Sequence, residues 1–180
     1  MTMVEIENNV EHRLADVRLL LLDCDGVLTT GGVTWANDTV EMKTFHIRDG
    51  LGIKLWGSAG YQTGIVTGRS SHIVELRAQE MSVSIVRQGV QNKREVVEEI
   101  LADQGLTWKQ TAFIGDDPPD LACIRQSGVG VAVADACPEV RESAMMVTSA
   151  DGGKGAVREV VERLLKAQGQ WHAIVSRYLV

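Results

Sequence analysis

Short apolar runs alternate with longer amphipathic segments along most of the chain. The first run contains leucines at 19–22, which is typical of a strand buried on both faces of a parallel sheet. Strands that alternate with helices predict an α/β fold with a doubly wound, Rossmann-like parallel sheet. The predicted strands are 17–23, 63–67, 84–86, 111–114, 129–133 and a short one at 146–148.

The segments between these strands have the spacing of amphipathic helices. In 93–104, Val96, Val97, Ile100 and Leu101 recur at helical spacing, so one face of the segment is apolar. Prolines at 118 and 119 are compatible with a helix start, because the first turn leaves its amide hydrogens unpaired. The predicted helices are 50–59, 70–78, 93–104, 118–127 and 155–167.

One segment breaks the alternation. Residues 31–45 contain two short strand-like runs around Asn37-Asp38, a pair typical of turns. This pattern predicts a β-hairpin inserted after the first strand and too short to be a domain. We expect its aromatic residues, Trp35 and Phe45, to cover a site or to pack against another subunit.

A chain of 180 residues is most simply one domain. We expect that domain at 17–168, a polar and mobile N-terminal arm at 1–16, and a C-terminal tail at 169–180 that contacts another subunit. The net charge of −6 argues against nucleic-acid binding, which needs clusters of Lys and Arg. No apolar stretch approaches the roughly 20 residues of a membrane span. Three cysteines without CxxC spacing indicate neither disulfides nor zinc, so a cytoplasmic protein is expected.

Two carboxylates, Asp23 and Asp25, follow the first predicted strand, and Gly26 comes after them. A carboxylate is a competent nucleophile toward phosphorus when a metal screens its charge. Asp25 would lie beyond the strand end, where it could protonate a leaving oxygen and later activate water. An ordinary Asp-Gly turn is the alternative. A calcium-binding loop is excluded, because that loop needs Gly at its sixth position.

Two further signals are weaker. Thr67 ends a predicted strand and Gly68 permits a turn close to a ligand, so a hydroxyl and backbone amides could bind phosphate oxygens. Lys93 begins a predicted helix, where a cation is unfavourable toward the helix dipole, and its amine could instead extend to a phosphate. Taken singly, a turn and a solvated lysine explain these residues better.

A second group of carboxylates, Asp116, Asp117 and Asp120, follows the strand predicted at 111–114. Carboxylates this close repel one another unless a cation is present, and their oxygens suit Mg²⁺. An acidic helix N-terminus is the alternative interpretation.

The joint occurrence of these groups decides between the alternatives. Each follows a predicted parallel strand, and open α/β sheets bind ligands at the carboxyl ends of their strands. The pattern therefore predicts a phosphate-transfer site. A phospho-accepting receiver domain uses similar residues, but there the acidic pair comes first; here the order is Asp, Thr, Lys, acidic pair.

The four groups resemble the motifs of the haloacid dehalogenase superfamily phosphatases. The resemblance implies that Asp23 is the nucleophile that forms an aspartyl-phosphate, and that Asp25 is the general acid and base. It implies a Mg²⁺ ion held by Asp23, the backbone carbonyl of Asp25, and Asp116. It also implies phosphate binding by Thr67, Gly68 and Lys93, and supporting roles for Asp117 and Asp120. The matching segments are Asp23-Cys24-Asp25-Gly26-Val27-Leu28-Thr29, Thr67-Gly68-Arg69, Lys93 and Gly115-Asp116-Asp117-x-x-Asp120.

Further segments resemble one branch of that superfamily, the phosphatases acting on 3-deoxy-D-manno-octulosonate 8-phosphate (KDO-8-phosphate) in lipopolysaccharide biosynthesis. This branch implies a hairpin in place of a cap domain and a homotetramer whose hairpins meet around a central axis. It implies that the glycine-rich C-terminal stretch approaches a neighbour's site, and that Arg48 and Asp49 contact substrate. The segments that carry the resemblance are the hairpin, Arg48-Asp49-Gly50, Gln88-Gly89, 131–136 and 152–159.

The substrate is less firmly indicated than the reaction. Relatives acting on nine-carbon sialic-type sugar phosphates tend to carry Glu where this chain has Arg69. Arg69, with Arg77, would offer cations to the sugar-acid carboxylate, which favours the eight-carbon substrate. A nine-carbon sugar 9-phosphate stays open, as does a weakly active oligomerisation partner of a nucleotide-sugar synthetase. Thr30 stands where the family often has Asp.

The remaining candidates are assigned to packing or to the surface. His46 and His72 are not needed as acid or base, since the Asp pair supplies the proton chemistry. Cys24 is expected to be a small buried hydrophobe. The C-terminal apolar stripe, expected to pack against a partner subunit, comprises Trp171, Ile174, Val175, Tyr178 and Leu179.

Overall fold

A six-stranded parallel sheet forms the centre of the molecule in a computed structural model, which describes residues 3–37 and 40–179, without the side chains of 3–9. Its strands are β1 Leu19–Leu22, β4 Gln62–Val66, β5 Ile85–Arg87, β6 Thr111–Gly115, β7 Val129–Ala132 and β8 Met146–Val147. They are ordered β5-β4-β1-β6-β7-β8, and each neighbouring pair is parallel. The strand order runs in opposite directions on the two sides of β1, which confirms the predicted doubly wound fold.

Helices flank this sheet in two groups. The first group is α1 Met3–Asp16, α2 Ile47–Ser58 and α7 Ala156–Ala167, and the second is α4 Lys93–Gln104, α5 Leu121–Gln126 and α6 Pro138–Ser143. The remaining helices are α3 His72–Glu80 and α8 Trp171–Ser176, with 3₁₀ turns at Trp108–Gln110 and Pro118–Asp120. Within the described residues, no helix combines the length and apolar character that crossing a membrane requires.

The centre of the sheet explains why the first apolar run has no polar alternation. All four side chains of β1 are fully buried, because strands lie on both of its edges and helices flank the sheet. α4 has the bounds predicted from its apolar periodicity. It ends at Gly105, whose φ of 64° is the left-handed conformation that commonly terminates helices.

The N-terminal segment differs from the expected arm. It forms α1, Leu14 is fully buried, and the helix packs against α7. In the tail at 169–180, α8 buries Ile174 within the chain, and the Arg158 guanidinium lies 5.3 Å from the Trp171 ring. Only the end of the apolar stripe, Tyr178 and Leu179, stays largely exposed.

The hairpin after β1 is present and shorter than predicted. Its strands, β2 Thr34–Trp35 and β3 Glu41–Met42, form an antiparallel pair. Of the expected turn, Asn37 lies in the connection and Asp38 lies outside the described residues. Trp35 is 60% exposed, whereas Phe45 packs against the core beneath the Arg77 guanidinium.

Candidate active site

The carboxyl ends of the central strands meet around Asp23. Leu22 pairs with Ile65 of β4 and with Ile114 of β6, and the Asp23 amide donates to the Ile114 carbonyl at 3.0 Å. Asp23, one residue on, therefore lies between the ends of β4 and β6. A cavity of about 440 Å³ opens there and brings together all four sequence motifs, through Asp23, Asp25, Thr67, Gly68, Arg69, Lys93, Asp116, Asp117 and Asp120.

Lys93 extends into this cavity from the first residue of α4. Its Nζ lies 3.0 Å from Asp23 Oδ1 and 2.6 Å from Asp120 Oδ1, and only 5% of the residue is exposed. Burial alone would lower the pKa of Lys93, but the two carboxylates outweigh burial and raise the pKa. Lys93 is thus a fixed cation beside Asp23 and not a solvated surface residue.

Asp23, Asp116 and Asp120 form a cluster in which one oxygen from each lies within 4.8 Å of the others. Burial raises the pKa of Asp23 to about 6, although Lys93 acts in the opposite direction. Burial, together with repulsion from Asp23 and Asp120, raises the pKa of Asp116 to about 7. Oδ1 of Asp116 is buried and has no hydrogen-bond partner among the described residues. A divalent cation would reduce the repulsion between the carboxylates and would give Asp116 Oδ1 a partner.

Asp120 fixes the loop that carries Asp116. It is fully buried, and its Oδ2 accepts the amides of Asp116 at 3.1 Å and Asp117 at 3.4 Å. Its Oδ1 faces Lys93, so one carboxylate connects the loop after β6 to the start of α4. Asp117 is exposed, and its side chain caps the 3₁₀ turn at Pro118–Asp120.

Two glycines let the loop after β1 pack closely on its neighbours. Gly26 has a φ of +92°, and a Cβ at this position would overlap the Asp116 carboxylate. A Cβ on Gly152 would overlap the Gly26 carbonyl oxygen, and the Gly153 amide donates to the Val27 carbonyl at 2.8 Å. The glycine-rich C-terminal segment therefore packs, within the same chain, on the loop that carries the aspartate pair.

Thr67 and Gly68 lie at the cavity wall beyond β4. Thr67 is 2% exposed, its amide donates to the Arg87 carbonyl at 2.9 Å, and its carbonyl accepts from the Val90 amide at 3.1 Å. These bonds join the loops after β4 and β5, so the position of Thr67 at the cavity is fixed by its backbone.

Asp25 is paired with two cations. Lys43 of the hairpin contacts Asp25 Oδ1, and Arg69 Nε lies 3.5 Å from Asp25 Oδ2. Arg69 also donates to Glu41 Oε1 at 3.0 Å. The sequence analysis did not predict Lys43 and Glu41 as site residues, because charged residues in a hairpin are ordinarily solvated. The only available signal was strand alternation, which places residues 41, 43 and 45 on one face.

Asp49 lies outside the cavity. It is 1% exposed and accepts the amides of Gly155 at 3.2 Å and Arg158 at 2.8 Å, so it caps the N-terminus of α7. Burial raises the pKa of Asp49, and the hydrogen bond from the Arg158 amide acts against that rise. Within one chain, Asp49 therefore caps α7 and does not line the cavity.

Of the other expected substrate contacts, Arg69 lines the cavity and Arg48 and Arg77 do not. Arg77 pairs with Glu80 at 2.7 Å and donates to the His46 carbonyl at 3.3 Å. Arg48 is exposed on α2 beside the start of α7. Within a single chain, Arg69 thus lines the cavity around Asp23, whereas Arg48 and Arg77 do not.

The residues assigned to packing or surface lie away from the cavity lining. His72 is exposed beside Glu75, and His46 Nδ1 lies 3.9 Å from Asp49 Oδ2. Cys24 is fully buried, and burial raises the pKa of its thiol to about 12. None of the three lines the cavity around Asp23.

A doubly wound sheet with a buried aspartate after its first strand, a lysine beside it and an acidic loop opposite defines a class of hydrolase. The family model for haloacid dehalogenase-like hydrolases matches residues 71–160. Together with the relatives below, this match shows that the chain belongs to the haloacid dehalogenase-like hydrolases and is a phosphatase.

Its relatives include named enzymes. The 3-deoxy-D-manno-octulosonate 8-phosphate phosphatase KdsC of Yersinia pestis is 39% identical over 163 residues, which cover 91% of this chain and 87% of that protein. The phosphatase of the same substrate from Moraxella catarrhalis, solved with magnesium ion, phosphate ion and KDO, has a TM-score of 0.93 and 34% identity, with 95% of this chain and 98% of that chain covered. The cobalt-bound Haemophilus influenzae phosphatase (YrbI) has a TM-score of 0.89 and 35% identity, with 93% and 99% covered.

Proposed function

We propose that this chain hydrolyses KDO-8-phosphate to KDO and inorganic phosphate, with Mg²⁺ and through an aspartyl-phosphate on Asp23. The observation that carries the proposal is the contact of a buried lysine, Lys93, with Asp23 inside a cavity that Asp116 and Thr67 also line. The substrate is proposed from the relatives, one of which is a KDO complex.

In the first step, the free oxygen of Asp23 attacks phosphorus and the bond between phosphorus and the sugar oxygen breaks. Lys93, 3.0 Å from Asp23 Oδ1, offsets negative charge where the nucleophile and the phosphoryl oxygens approach each other. Asp25, protonated at this stage, gives its proton to the departing sugar oxygen. The products of the step are the sugar alcohol and a phosphoryl group bonded to Asp23.

In the second step, a water oxygen attacks the phosphorus of the aspartyl-phosphate. Asp25, now ionised, takes a proton from that water, and the bond between phosphorus and the Asp23 oxygen breaks. Phosphate leaves, Asp23 is restored as a carboxylate, and Asp25 is protonated again for the next substrate. One residue therefore serves as acid and then as base.

The residues present fit a divalent metal ion. The unpartnered Oδ1 of Asp116 and the close oxygens of Asp23 and Asp116 would supply oxygen ligands, together with the backbone carbonyl of Asp25. When bound, such an ion neutralises charge on the transferred phosphoryl group. The third acid of the cluster, Asp120, is already occupied by Lys93 and by two backbone amides, so we assign it a supporting role.

Arg69 is the residue we assign to the sugar acid. It lies at the cavity and its side chain is 46% exposed, so part of its guanidinium is free to meet a substrate carboxylate. The nine-carbon substrate class remains the alternative, because a longer sugar acid would carry the same carboxylate.

The test is phosphate release from KDO-8-phosphate and from a nine-carbon sugar-acid 9-phosphate, each with Mg²⁺ and with EDTA. We expect selective, EDTA-sensitive release from the eight-carbon substrate. Preference for the nine-carbon compound would overturn the substrate and keep the reaction. Release from neither compound, nor from p-nitrophenyl phosphate, would favour the role of an oligomerisation partner of a nucleotide-sugar synthetase.

A further inference from the structure

A buried lysine on the hairpin contacts the proposed acid and base. The side chain of Lys43 is 1% exposed, although the hairpin as a whole is mostly exposed. Its Nζ contacts Asp25 Oδ1 and lies 3.6 Å from Glu41 Oε1. Both carboxylates are themselves largely covered, with 17% and 14% of their side chains exposed.

Such burial is costly unless the ammonium group has specific partners. A lysine amine removed from water loses its hydration, and only hydrogen-bonded or charged neighbours compensate for that loss. Here the neighbours are Asp25 and Glu41, one from the loop after β1 and one from β3. The position of Lys43 is therefore determined by the catalytic loop as much as by the hairpin.

Glu41 connects this pair to the other side of the cavity. Its Oε1 accepts from Arg69 at 3.0 Å, and its Oε2 accepts from the Ser71 hydroxyl at 2.6 Å, at the N-terminus of α3. Arg69 in turn lies 3.5 Å from the second oxygen of Asp25. Both oxygens of Asp25 are thus approached by cations whose own positions are set by Glu41.

We propose that Lys43 and Glu41 are positioning residues, which hold the Asp25 carboxyl in the orientation that serves proton transfer at the leaving oxygen. The inference rests on the proposed function, since it takes Asp25 as the acid and base. It gives the hairpin a part in the chemistry of its own chain, in addition to any part in packing.

Two substrates with different leaving groups can distinguish a positioning role of Lys43 from a role in substrate binding or in folding. The sugar oxygen of KDO-8-phosphate needs a proton as it departs, whereas p-nitrophenolate departs without one. A misplaced Asp25 should therefore slow phosphoryl transfer to Asp23 from KDO-8-phosphate but not from p-nitrophenyl phosphate. Water attack on the aspartyl-phosphate needs Asp25 as base for either substrate. Loss of Lys43 should therefore leave the burst of p-nitrophenol intact and slow the turnover that follows it.

The experiment uses rapid-quench single turnover of Lys43→Met with KDO-8-phosphate, and stopped-flow release of p-nitrophenol from p-nitrophenyl phosphate. We expect the first step with the sugar phosphate to slow by about 10²-fold, within the range that general acid catalysis contributes. The p-nitrophenol burst should stay within about threefold of the wild-type rate, since that leaving group needs no acid. Glu41→Gln should give the same pattern with a smaller effect. Lys54→Met, an exposed lysine on α2, is the matched control.

A second comparison removes the acid itself. In an Asp25→Asn background, Lys43→Met should have no further effect on the first step with KDO-8-phosphate, because residues that act as one unit are not additive. An equal slowing of both substrates, or a further loss in the Asp25→Asn background, would overturn the proposal in favour of a general folding role. A raised KM with unchanged kcat would overturn it in favour of substrate binding. If the wild type itself releases no phosphate from KDO-8-phosphate, it is the proposed function that fails.

Discussion

The buried carboxylate of Asp23 stays ionised because the Lys93 amine lies 3.0 Å from its Oδ1. Burial raises the pKa of Asp23 to about 6, so the carboxylate is mostly ionised at neutral pH. Without the lysine, desolvation and the neighbouring Asp120 would favour the protonated form, which is a poor nucleophile. The lysine thus stabilises the site and, in the proposed mechanism, keeps the proposed nucleophile ionised.

Replacement of Lys93 by Met should destabilise the protein, and more so at high pH. The variant leaves Asp23 buried without its cation, so the folded-state pKa of Asp23 rises further above the unfolded value. A group with a raised folded pKa loses its stabilising contribution as pH rises through that pKa. We expect a loss of about 3 kcal/mol at pH 8 and a smaller loss at pH 5, by urea unfolding in EDTA.

The exposed Lys109 provides the control, as Lys109→Met. A loss from Lys93→Met that is equal at both pH values would show that the cation does not compensate the buried carboxylates.

The site residues that could be predicted from the sequence are those that directly follow strands. Asp23, Thr67 and Asp116 each stand at or near the end of an apolar run that predicts a strand. Parallel strands bring these ends together at one edge of the sheet. Lys43 and Glu41 could not be predicted, because a two-residue strand pair carries no burial signal and the contact with Asp25 depends on how the hairpin folds back.

At the element scale, strands were more predictable than short helices. β1, β4 and β6 are apolar because they lie in the middle of the sheet, so their sequences carry little ambiguity. α6 and α8 have six residues each, too few to display a helical period. α1 has a polar sequence with few apolar positions, and its burial of Leu14 depends on α7, which lies far away in sequence.

The glycine-rich C-terminal segment packs on the loop after β1. A substitution in this segment should therefore change activity, although the segment carries no proposed catalytic side chain. Gly152→Ala would drive a methyl group into the Gly26 carbonyl oxygen and displace the loop that carries Asp25. We expect kcat to fall by at least about tenfold, since small displacements of reacting groups have large effects on rate. Activity with KDO-8-phosphate, or with p-nitrophenyl phosphate, measures the change.

Gly57→Ala is the matched control, because a Cβ at this position in α2 meets no atom within 4 Å. It should leave activity unchanged and stabilise the protein by roughly 0.5–1 kcal/mol through helix propensity. Unchanged activity of Gly152→Ala would show that the two segments are not coupled.

At the scale of the whole molecule, metal binding should stabilise the fold in a pH-dependent way. The pKa of Asp23 is raised to about 6 and that of Asp116 to about 7, so both carboxyls hold protons at low pH that a metal must displace. Mg²⁺ should therefore raise the unfolding temperature clearly at pH 8 and hardly at pH 5.5, relative to EDTA. Asp116→Asn should abolish the rise at pH 8. An equal Mg²⁺ effect at both pH values would contradict the assignment of these ligands.

The hairpin also gives the molecule an exposed apolar surface, formed by Val33, Trp35, Val40 and Met42, of which Trp35 is 60% exposed. We propose that this surface joins copies of the chain in a homotetramer, since an isolated patch of this kind is unfavourable in water. Light scattering should give four times the chain mass of 19.6 kDa for the wild type and a lower mass for Trp35→Lys. A monomeric wild type would contradict this assembly.

Chemical trapping can show whether the phosphoryl group bonds covalently to Asp23, as we propose. Enzyme quenched during turnover of KDO-8-phosphate with Mg²⁺ is reduced with borohydride, which converts an acyl phosphate on aspartate to homoserine, and the peptide is sequenced by mass spectrometry. We expect homoserine at position 23 in the wild type, and neither label nor turnover in Asp23→Asn. Homoserine at another aspartate, or sustained turnover by Asp23→Asn, would contradict the proposal.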